Sequence, residues 1–212
     1  MKLTVHTFVT LDGVMQGPGG PEEDTSGGFT RGGWVVPYAD QDFGEIVGSW
    51  FTEADAFLLG GTTYRLFDSY WPQVTDPADA VAAKLNSLPK YAVSSTLTDP
   101  DWAGTTVIAD DVVARVAALK QSEGRELQVH GSCGLIHTLH DAGLVDEYRL
   151  IVFPVVVGQG KRLFATGASA ASFRLTGSRT TESGLLSLTL RPSGALVQGD
   201  HTVVDGRDTP TL

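Results

Sequence analysis

The chain has 212 residues, of which 42% are apolar and 19% are charged, and this balance is ordinary for one globular domain with a sizeable core. Its formal net charge of −10 argues against nucleic acid or an anionic membrane as a partner. A single cysteine, Cys133, excludes an internal disulfide, and because no signal peptide and no apolar run of about 20 residues is evident, the expected location is the cytoplasm.

The chain opens with a predicted strand and a long glycine-rich loop. Residues 2–11 have β character and end at the turn signal Asp12–Gly13. A loop as long as 12–34 is usually functional in a compact domain, so we expect a lid with glycine hinges. Three aromatic side chains are candidates to stack on a flat heterocycle: Phe29, Trp34 and Tyr38. The alternative is a disordered surface loop whose aromatic residues pack at its base.

Helices and strands alternate through the middle of the chain. The clearest amphipathic helix covers residues 40–54, where apolar residues recur at helical spacing: Phe43, Ile46, Val47, Trp50 and Phe51. A strand over 56–60 and a short helix over about 62–69 follow. The pair Asp76–Pro77 predicts a helix start, because Asp caps well and Pro suits the first turn. This helix is expected to end near Leu88.

The later elements predict a mixed sheet. Two helices are expected over about 111–123, between Asp110 and Gly124, and over about 133–142. The predicted strands cover residues 91–95, 106–108, 126–130, 147–153, 172–180 and 185–190. The last two strands read as an antiparallel hairpin, and the whole order indicates an α/β fold. Residues from about 193 onward are polar, and we expect a loose tail or an arm that docks on a partner subunit.

Three of the predicted strands end in small residues in the same way. Their apolar runs lead into Gly60–Thr63, Ser94–Thr96 and Gly131–Gly134. In an open α/β sheet, ligands bind beyond the carboxyl ends of the strands. Small residues before a helix N-terminus let backbone amides approach a phosphate. The pattern therefore favours a phosphate-bearing ligand, the alternative being tight turns in which glycine only permits close packing.

Several short motifs occur in a characteristic order: Thr10–Val14, Leu59–Tyr64, Trp71–Pro72, Lys90–Ser95, Gly131–Ser132, Gly143–Glu147 and Pro154–Phe164. In this order they resemble the dihydrofolate-reductase-like family, in the branch related to the reductase domain of bacterial riboflavin biosynthesis. The resemblance covers about residues 1–191 as one reductase domain and leaves 192–212 as a tail. It implies a three-layer α/β fold whose mixed, mostly parallel sheet ends in an antiparallel hairpin.

The resemblance also implies a dinucleotide site along the three strand ends. The residues expected to bind the cofactor are Gly60, Gly61, Thr62, Thr63, Arg65, Ser94, Ser95, Gly131, Ser132, Cys133, Gly134 and Leu135. Many relatives have Arg where this chain has Gly61, and a second glycine where it has Ser132. Arg65, one turn further on, is the candidate to bind a 2′-phosphate. The implied cofactor is therefore NADPH, with NADH left open.

The proton donor and the substrate contacts rest on weaker patterns. Dihydrofolate reductases place a carboxylate on the helix before the second strand, and an ungapped count back from Gly60 lands between Asp42 and Glu45. Asp42 and Glu45 are the catalytic candidates; the alternatives are polar positions on a solvated helix face, with water or a different carboxylate as the donor. The candidate substrate contacts are Asp12, Gly13, Trp34 and Tyr38.

No metal site is predicted. His137 and His140 lie three residues apart on a predicted helix, with Asp141 adjacent, but the set lacks a convincing further ligand, so histidines on the surface or on a dimer face are expected. Cys133 lies at a helix start without a His/Asn constellation, so a small buried residue is expected there rather than a nucleophile.

These observations predict an NADPH-dependent reductase. It would transfer a hydride to a C=N or C=O bond of a small heterocyclic substrate of the pterin or pyrimidine kind, and it is expected to form a homodimer. The alternatives are a specialised reductase of a secondary metabolite or xenobiotic, and a dinucleotide-binding module without turnover.

Overall fold

A computed structural model describes residues 1–211, and its centre is an eight-stranded sheet. The strands, in chain order, are β1 (Lys2–Thr10), β2 (Ala54–Gly60), β3 (Lys90–Val93), β4 (Thr105–Ile108), β5 (Glu126–His130), β6 (Glu147–Phe153), β7 (Ser172–Thr180), β8 (Leu186–Gly194), β9 (Asp200–Val204) and β10 (Arg207–Thr211). The first eight form the main sheet, and the last two form a separate hairpin.

Helices cover both faces of the main sheet. They are α1 (Gln41–Trp50), α2 (Gly61–Tyr70), α3 (Ala80–Ser87), α4 (Val112–Lys120) and α5 (Cys133–Asp141). On one face, α1, α2 and α3 pack on the sheet through the buried side chains of Trp50, Tyr64 and Leu85. On the other face, α4 and α5 pack through those of Val116 and Ile136. The predicted three-layer α/β fold is confirmed. No helix within residues 1–211 has the length and apolar character needed to cross a bilayer.

The sheet is mostly parallel, with the strand order β4-β3-β2-β5-β1-β6-β8-β7. The six strands from β4 to β6 run parallel, whereas β8 is antiparallel to β6 and β7 is antiparallel to β8. Only antiparallel neighbours can be joined by a short turn, and β7 and β8 are joined in that way. The predicted mixed sheet with an antiparallel C-terminal hairpin is confirmed, and the carboxyl ends of β1, β2, β3 and β5 lie along one edge.

Most elements lie where the sequence pattern places them, but two helix starts differ. The predicted start at Asp76–Pro77 is wrong: α3 begins at Ala80, because the side chain of Asp79 accepts hydrogen bonds from the amides of Val81 and Ala82 at 3.0 and 2.9 Å. The residue before α4 is Asp111 rather than Asp110, and its backbone is left-handed with φ 45°.

The C-terminal region is more regular than the predicted loose tail. β8 runs on to Gly194, and β9 and β10 pair as a hairpin around the two-residue loop Asp205–Gly206. Both loop residues are left-handed, with φ 50° and 74°, as a tight hairpin turn requires. The Asp-Gly pair is a strong hairpin signal that the polar composition around it concealed.

Candidate functional site

The small-residue ends of β2 and β5 lie side by side and are bonded to each other. The backbone N–H of Gly60 donates to Oγ of Ser132 at 2.9 Å, and the backbone N–H of Ser132 donates to Oγ1 of Thr63 at 3.1 Å. A Cβ built on Gly131 would lie 3.6 Å from the Thr63 hydroxyl. The two turns therefore form one continuous surface at the edge of the sheet.

The end of β3 joins the same surface through Ser94. A Cβ at Gly61 would come within 3.0 Å of Cβ and Oγ of Ser94, so any side chain at residue 61 would displace that serine. Ser94 Oγ also accepts from the backbone N–H groups of Thr96 and Leu97 at 3.2 and 3.1 Å, which fixes the turn after β3. Ser95 is exposed beside it. The structure thus brings the three predicted strand ends together.

Two helices begin on this surface without a side-chain cap. Neither Gly60, before α2, nor Ser132, before α5, makes a capping bond to its helix. The side chains of Asp40 and Asp79 cap α1 and α3, whereas α4 has no side-chain cap either. The first-turn amides of an uncapped helix are available to an anion, and the helix dipole favours negative charge there. The residues at this edge therefore fit the phosphates of a dinucleotide.

Ser132 explains why a second glycine is not needed after Gly131. Both residues have left-handed backbones, with φ 54° at Gly131 and 63° at Ser132. Ser132 Oγ donates to the carbonyl of His130 at 2.9 Å while it accepts from the amide of Gly60. A side chain is strained in this conformation, and here the hydroxyl offsets the strain by tying β5 to β2.

Arg65 places a cation at the adjoining end of β3. Its Nη2 donates to Oγ1 of Thr96 at 2.9 Å, and its Nη1 lies 3.4 Å from the carbonyl oxygen of Gly61. The side chain is exposed on the first turns of α2. A guanidinium in this position is suited to bind a phosphate monoester near Ser94 and Ser95.

The first three residues of α5 have different surroundings, and only some of their groups are accessible to a ligand. Cys133 Sγ lies 3.5 Å from Nε2 of His137 and 3.3 Å from the carbonyl oxygen of Arg162, and burial raises the pKa of the thiol. Gly134 has open space where a Cβ would stand. Leu135 is buried in the core. This turn therefore contributes backbone amides and a protonated thiol rather than an activated nucleophile.

Asp12 and Gly13 hold the end of β1 against a later loop. Asp12 accepts hydrogen bonds from Oγ1 of Thr10 at 2.6 Å and from the amide of Gly158 at 2.9 Å, while the Gly13 carbonyl accepts from Leu163 N–H at 2.9 Å. Partial burial opposes ionisation of Asp12, but these hydrogen bonds outweigh it and lower the pKa of the carboxyl. The predicted substrate contacts thus have a positioning role in the structure.

The aromatic residues of the glycine-rich loop lie in the core rather than in an open site. Phe29 and Trp34 are buried, and the indole N–H of Trp34 donates to the carbonyl of Gln16 at 2.9 Å. The rings of Trp34 and Tyr38 meet Phe153 edge-on, with centroids 5.2 and 5.7 Å apart. Tyr38 is half-buried, so it remains available at the margin of this cluster.

The two candidate acids lie on α1 and share one cation. Arg179 of β7 forms an ion pair with Asp42, and its Nη2 also lies 3.5 Å from Oε2 of Glu45. A shallow cleft between α1 and the β6–β8 strands is lined by Glu45, Trp50, Arg149, Arg179 and Thr189, among others. The structure therefore places both carboxylates beside this cleft rather than at the small-residue ends of β2, β3 and β5.

A column of buried polar residues under α1 was not predicted. The rings of His6 and His130 stack with centroids 4.9 Å apart, and the edge of Trp50 meets His6 at 5.1 Å. His6 Nε2 lies 2.9 Å from Oγ1 of Thr4, and His130 Nε2 lies 3.0 Å from Oε1 of Gln128. His6 Nδ1 has no partner among the described residues. The period-two pattern of these residues on β1 and β5 is the signal that could have revealed the column.

Burial sets the charge of this column. It lowers the pKa of His6 well below its ordinary value, with help from His130, and it lowers the pKa of His130 to about 3, with help from Arg149. Both rings are therefore neutral at physiological pH. Within residues 1–211 no three His, Cys, Asp or Glu side chains are grouped so as to hold a metal ion.

Comparison with known proteins finds one relative by sequence over nearly the whole chain and others that share the fold. The uncharacterized protein YyaP of Bacillus subtilis is 30% identical over 195 residues, which cover 91% of this chain and 96% of that protein. A protein of Shewanella sp. PV-4 that is named for riboflavin biosynthesis shares the fold with a TM-score of 0.64 at 20% identity, over 91% of this chain and 99% of that one.

A larger enzyme shares the fold over part of its length. The diaminohydroxyphosphoribosylaminopyrimidine deaminase/5-amino-6-(5-phosphoribosylamino)uracil reductase of Thermotoga maritima superposes with a TM-score of 0.60 at 12% identity. The match covers 91% of this chain but 56% of that enzyme. The sequence profile of the RibD C-terminal domain matches residues 1–187. With most of its length covered by that profile, the chain belongs to the RibD C-terminal domain family.

Proposed function

We propose that this protein is a reductase that binds a nicotinamide dinucleotide along the carboxyl ends of β3, β2 and β5. The observation that carries the proposal is the meeting of Gly60, Ser94 and Ser132 on one surface from which two uncapped helices start. The amides at the starts of α2 and α5 would bind the pyrophosphate. Membership of the RibD C-terminal domain family, and a fold shared with the Thermotoga maritima enzyme whose name includes a uracil reductase, support the same assignment.

NADPH is the cofactor that this surface suits best. Arg65 lies over the end of β3, next to Ser94 and Ser95, where a 2′-phosphate would need a cation. Gly61 cannot be replaced by the arginine that many relatives carry without moving Ser94, so Arg65 would take over that task from one turn further along α2. When bound, NADPH supplies the hydride, and the protein supplies binding and orientation.

The substrate we propose is a small heterocycle of the pyrimidine or pterin kind. The uracil reductase named for the Thermotoga maritima enzyme supports this class. Half-buried Phe8, Tyr38 and Phe43 pack around buried Phe153 beside the C-terminal halves of β1 and β6, so a flat ring would meet an aromatic wall. Asp42 and Glu45 remain the candidate acids, and each would have to release Arg179 to act.

The proposal is tested by cofactor binding to a variant that changes one charge. Thr62 is exposed in the first turn of α2, where a carboxylate is favourable to the helix but repels a phosphate. We expect Thr62→Glu to weaken NADPH binding by about tenfold or more, equivalent to about 1.4 kcal/mol, in calorimetric titration. Thr62→Gln, of the same shape without the charge, is the matched control and should bind like the natural protein.

Two outcomes would count against this function. If neither NADPH nor NADH raises the thermal midpoint, the dinucleotide site is absent, because a ligand that binds the native state must stabilise it. If NADPH binds but is not oxidised in the presence of any pyrimidine, pterin or quinone in a panel, the protein is a dinucleotide-binding module without turnover rather than a reductase. Where a compound of the panel is reduced, Asp42→Asn and Glu45→Gln show which acid matters, since loss of turnover with unchanged NADPH binding marks the proton donor.

A further inference from the structure

The C-terminal arm, residues 195–211, is bonded to the preceding domain at its first residue, where Oγ of Ser172 donates to the carbonyl of Ala195 at 3.0 Å, but its hairpin is not. Within the described chain, the hydrogen bonds of residues 200–211 stay inside the β9–β10 hairpin. All of the strand residues except half-buried Thr209 are exposed. The arm also lies beyond residues 1–187, which the family profile matches. It is therefore an addition to the reductase domain.

An arm of this kind needs a surface to cover. A lone two-stranded hairpin is marginally stable in water, because it has no third strand or helix to bury its side chains. Apolar residues of the arm are exposed to unusual extents: Leu196 by 54%, Val197 by 69%, Val203 by 78% and Val204 by 51%. The domain to which the arm is attached leaves them uncovered.

The edge strand β7 offers a matching surface. It is the terminal strand of the main sheet, so the backbone groups on its outer side have no strand partner, and its Leu175 is 53% exposed. The opposite edge, β4, has four residues, whereas β7 has nine and can accommodate the full five-residue strand of the hairpin. Open edges of this length invite pairing with another strand.

Charge favours the same pairing. Residues 195–211 carry three acidic side chains, Asp200, Asp205 and Asp208, and one cation, Arg207, so the formal charge of the arm is −2 with His201 neutral. β7 carries Arg174 and Arg179 and no acidic residue. Arg179 is already paired with Asp42 of α1, so Arg174 is the cation of β7 that has no ion-pair partner among the described residues. Because the whole chain has a net charge of −10, most of its surface repels an acidic segment, whereas a cationic edge strand attracts one.

We propose that the arm of one copy pairs with β7 of a second copy, so that two chains exchange their arms. The hairpin would extend the partner's sheet, and its apolar residues would cover the surface around Leu175 of the partner subunit. The exchange is symmetric, as expected for a two-fold dimer. This inference stands on the arm and β7 alone and does not depend on the identity of the cofactor.

The test uses complementary charge reversals in the full chain. In an exchanged dimer, Arg174→Glu sets a glutamate against an acidic arm, and Asp208→Arg sets an arginine against a basic strand. Each variant alone is expected to dissociate at least about tenfold more readily than the natural chain, measured by light scattering during size-exclusion chromatography. An equimolar mixture of the two variants should again form dimers, because each arm then meets an opposite charge.

Controls separate this result from misfolding and from pairing within one chain. Arg115→Glu reverses an exposed charge on α4 and should leave the mass unchanged. The far-UV circular dichroism spectrum should be similar in all variants, since each chain stays folded when the dimer dissociates, while the thermal midpoint falls only in the variants that dissociate. A monomeric natural chain, a dimer that survives deletion of residues 195–212, or a mixture that stays monomeric would each overturn the proposal.

Discussion

At the scale of single residues, Ser132 combines a backbone conformation that favours glycine with a side chain that makes two hydrogen bonds. A serine with φ 63° is strained, and glycine would adopt this conformation freely. Its hydroxyl nevertheless accepts from Gly60 N–H and donates to the His130 carbonyl. Removing it would leave a partly buried amide without a partner, which costs about 1–3 kcal/mol.

This balance predicts an order of stability among variants of Ser132. Ser132→Ala loses both hydrogen bonds and keeps the strain, so we expect a loss of about 1–3 kcal/mol in the free energy of unfolding. Ser132→Gly loses the same bonds but relieves the strain, so it should be less destabilised. Urea titration of both variants measures the difference. If alanine and glycine destabilise equally, the backbone strain inferred here is absent.

Arg65 gives a second prediction at this scale. If its guanidinium binds the 2′-phosphate, Arg65→Ala should weaken NADPH binding by about ten- to a hundredfold, since hydrogen bonds to charged groups contribute about 1.5–3 kcal/mol. NADH binding should change little, because NADH lacks that phosphate. The ratio of the two dissociation constants is the measurement, and Arg115→Ala is a control for loss of charge. An unchanged ratio would remove Arg65 from the cofactor site.

At the scale of elements, the start of α3 shows how two similar signals compete. Asp76–Pro77 and Asp79 are both plausible caps, but Asp79 bonds two helix amides, whereas Asp76 accepts from Ala78 N–H at 2.9 Å within a turn. Asp79→Ala is therefore expected to lower the free energy of unfolding by about 1 kcal/mol. Asp76→Ala is the matched comparison and should cost less. Equal losses in chemical denaturation would contradict the assignment of the cap.

The sequence predicted the elements better than it predicted their long-range partners. β5, β6 and β7 have the predicted bounds because each is a short run with strong β character between turn signals. The meeting of the strand ends followed from the parallel order alone. The ion pair between Asp42 and Arg179 joins residues 137 positions apart, and no local spacing encodes such a contact. The buried histidines were missed because polar residues usually mark an exposed strand face.

At the scale of the whole molecule, buried ionisable groups set the response to acid. His6 and His130 resist protonation in the fold, whereas the unfolded chain protonates near the ordinary histidine pKa of about 6.5. Stability should therefore be full above about pH 6.5 and fall as the pH decreases towards 3. Glu147 adds a later loss: burial opposes its ionisation, but hydrogen bonds from Lys2, Arg191 and Arg149 prevail and lower its pKa to about 2. Its contribution is lost from about pH 4.5 towards 2.

The two stages can be separated by one substitution. His130 stacks on Phe51 at 4.7 Å and lies 5.7 Å from Phe57, so a phenylalanine suits its surroundings. We expect His130→Phe to flatten the dependence of the unfolding free energy on pH between about 6.5 and 4.5, where carboxylates change little. Denaturant titrations across this range measure the slope. An unaltered slope would mean that the buried histidines do not govern the first stage.

Gln16, whose carbonyl accepts from the Trp34 indole, also ties the glycine-rich loop together through its side chain, and this affects how a protease can cut the loop. The Gln16 amide donates to the carbonyls of Asp24 and Ser26 at 3.1 and 2.9 Å and accepts from Lys161 N–H at 3.0 Å. A Cβ on Gly32 would clash with the carbonyl oxygen of Gly20, so glycine at residue 32 allows the two loop segments to pack closely. Trypsin should therefore cut slowly after Arg31 in the glycine-rich loop, and Gln16→Ala should speed that cleavage. Mass spectrometry of the early fragments measures the rate of cleavage after Arg31, and equal rates in the natural protein and in Gln16→Ala would contradict this role of Gln16.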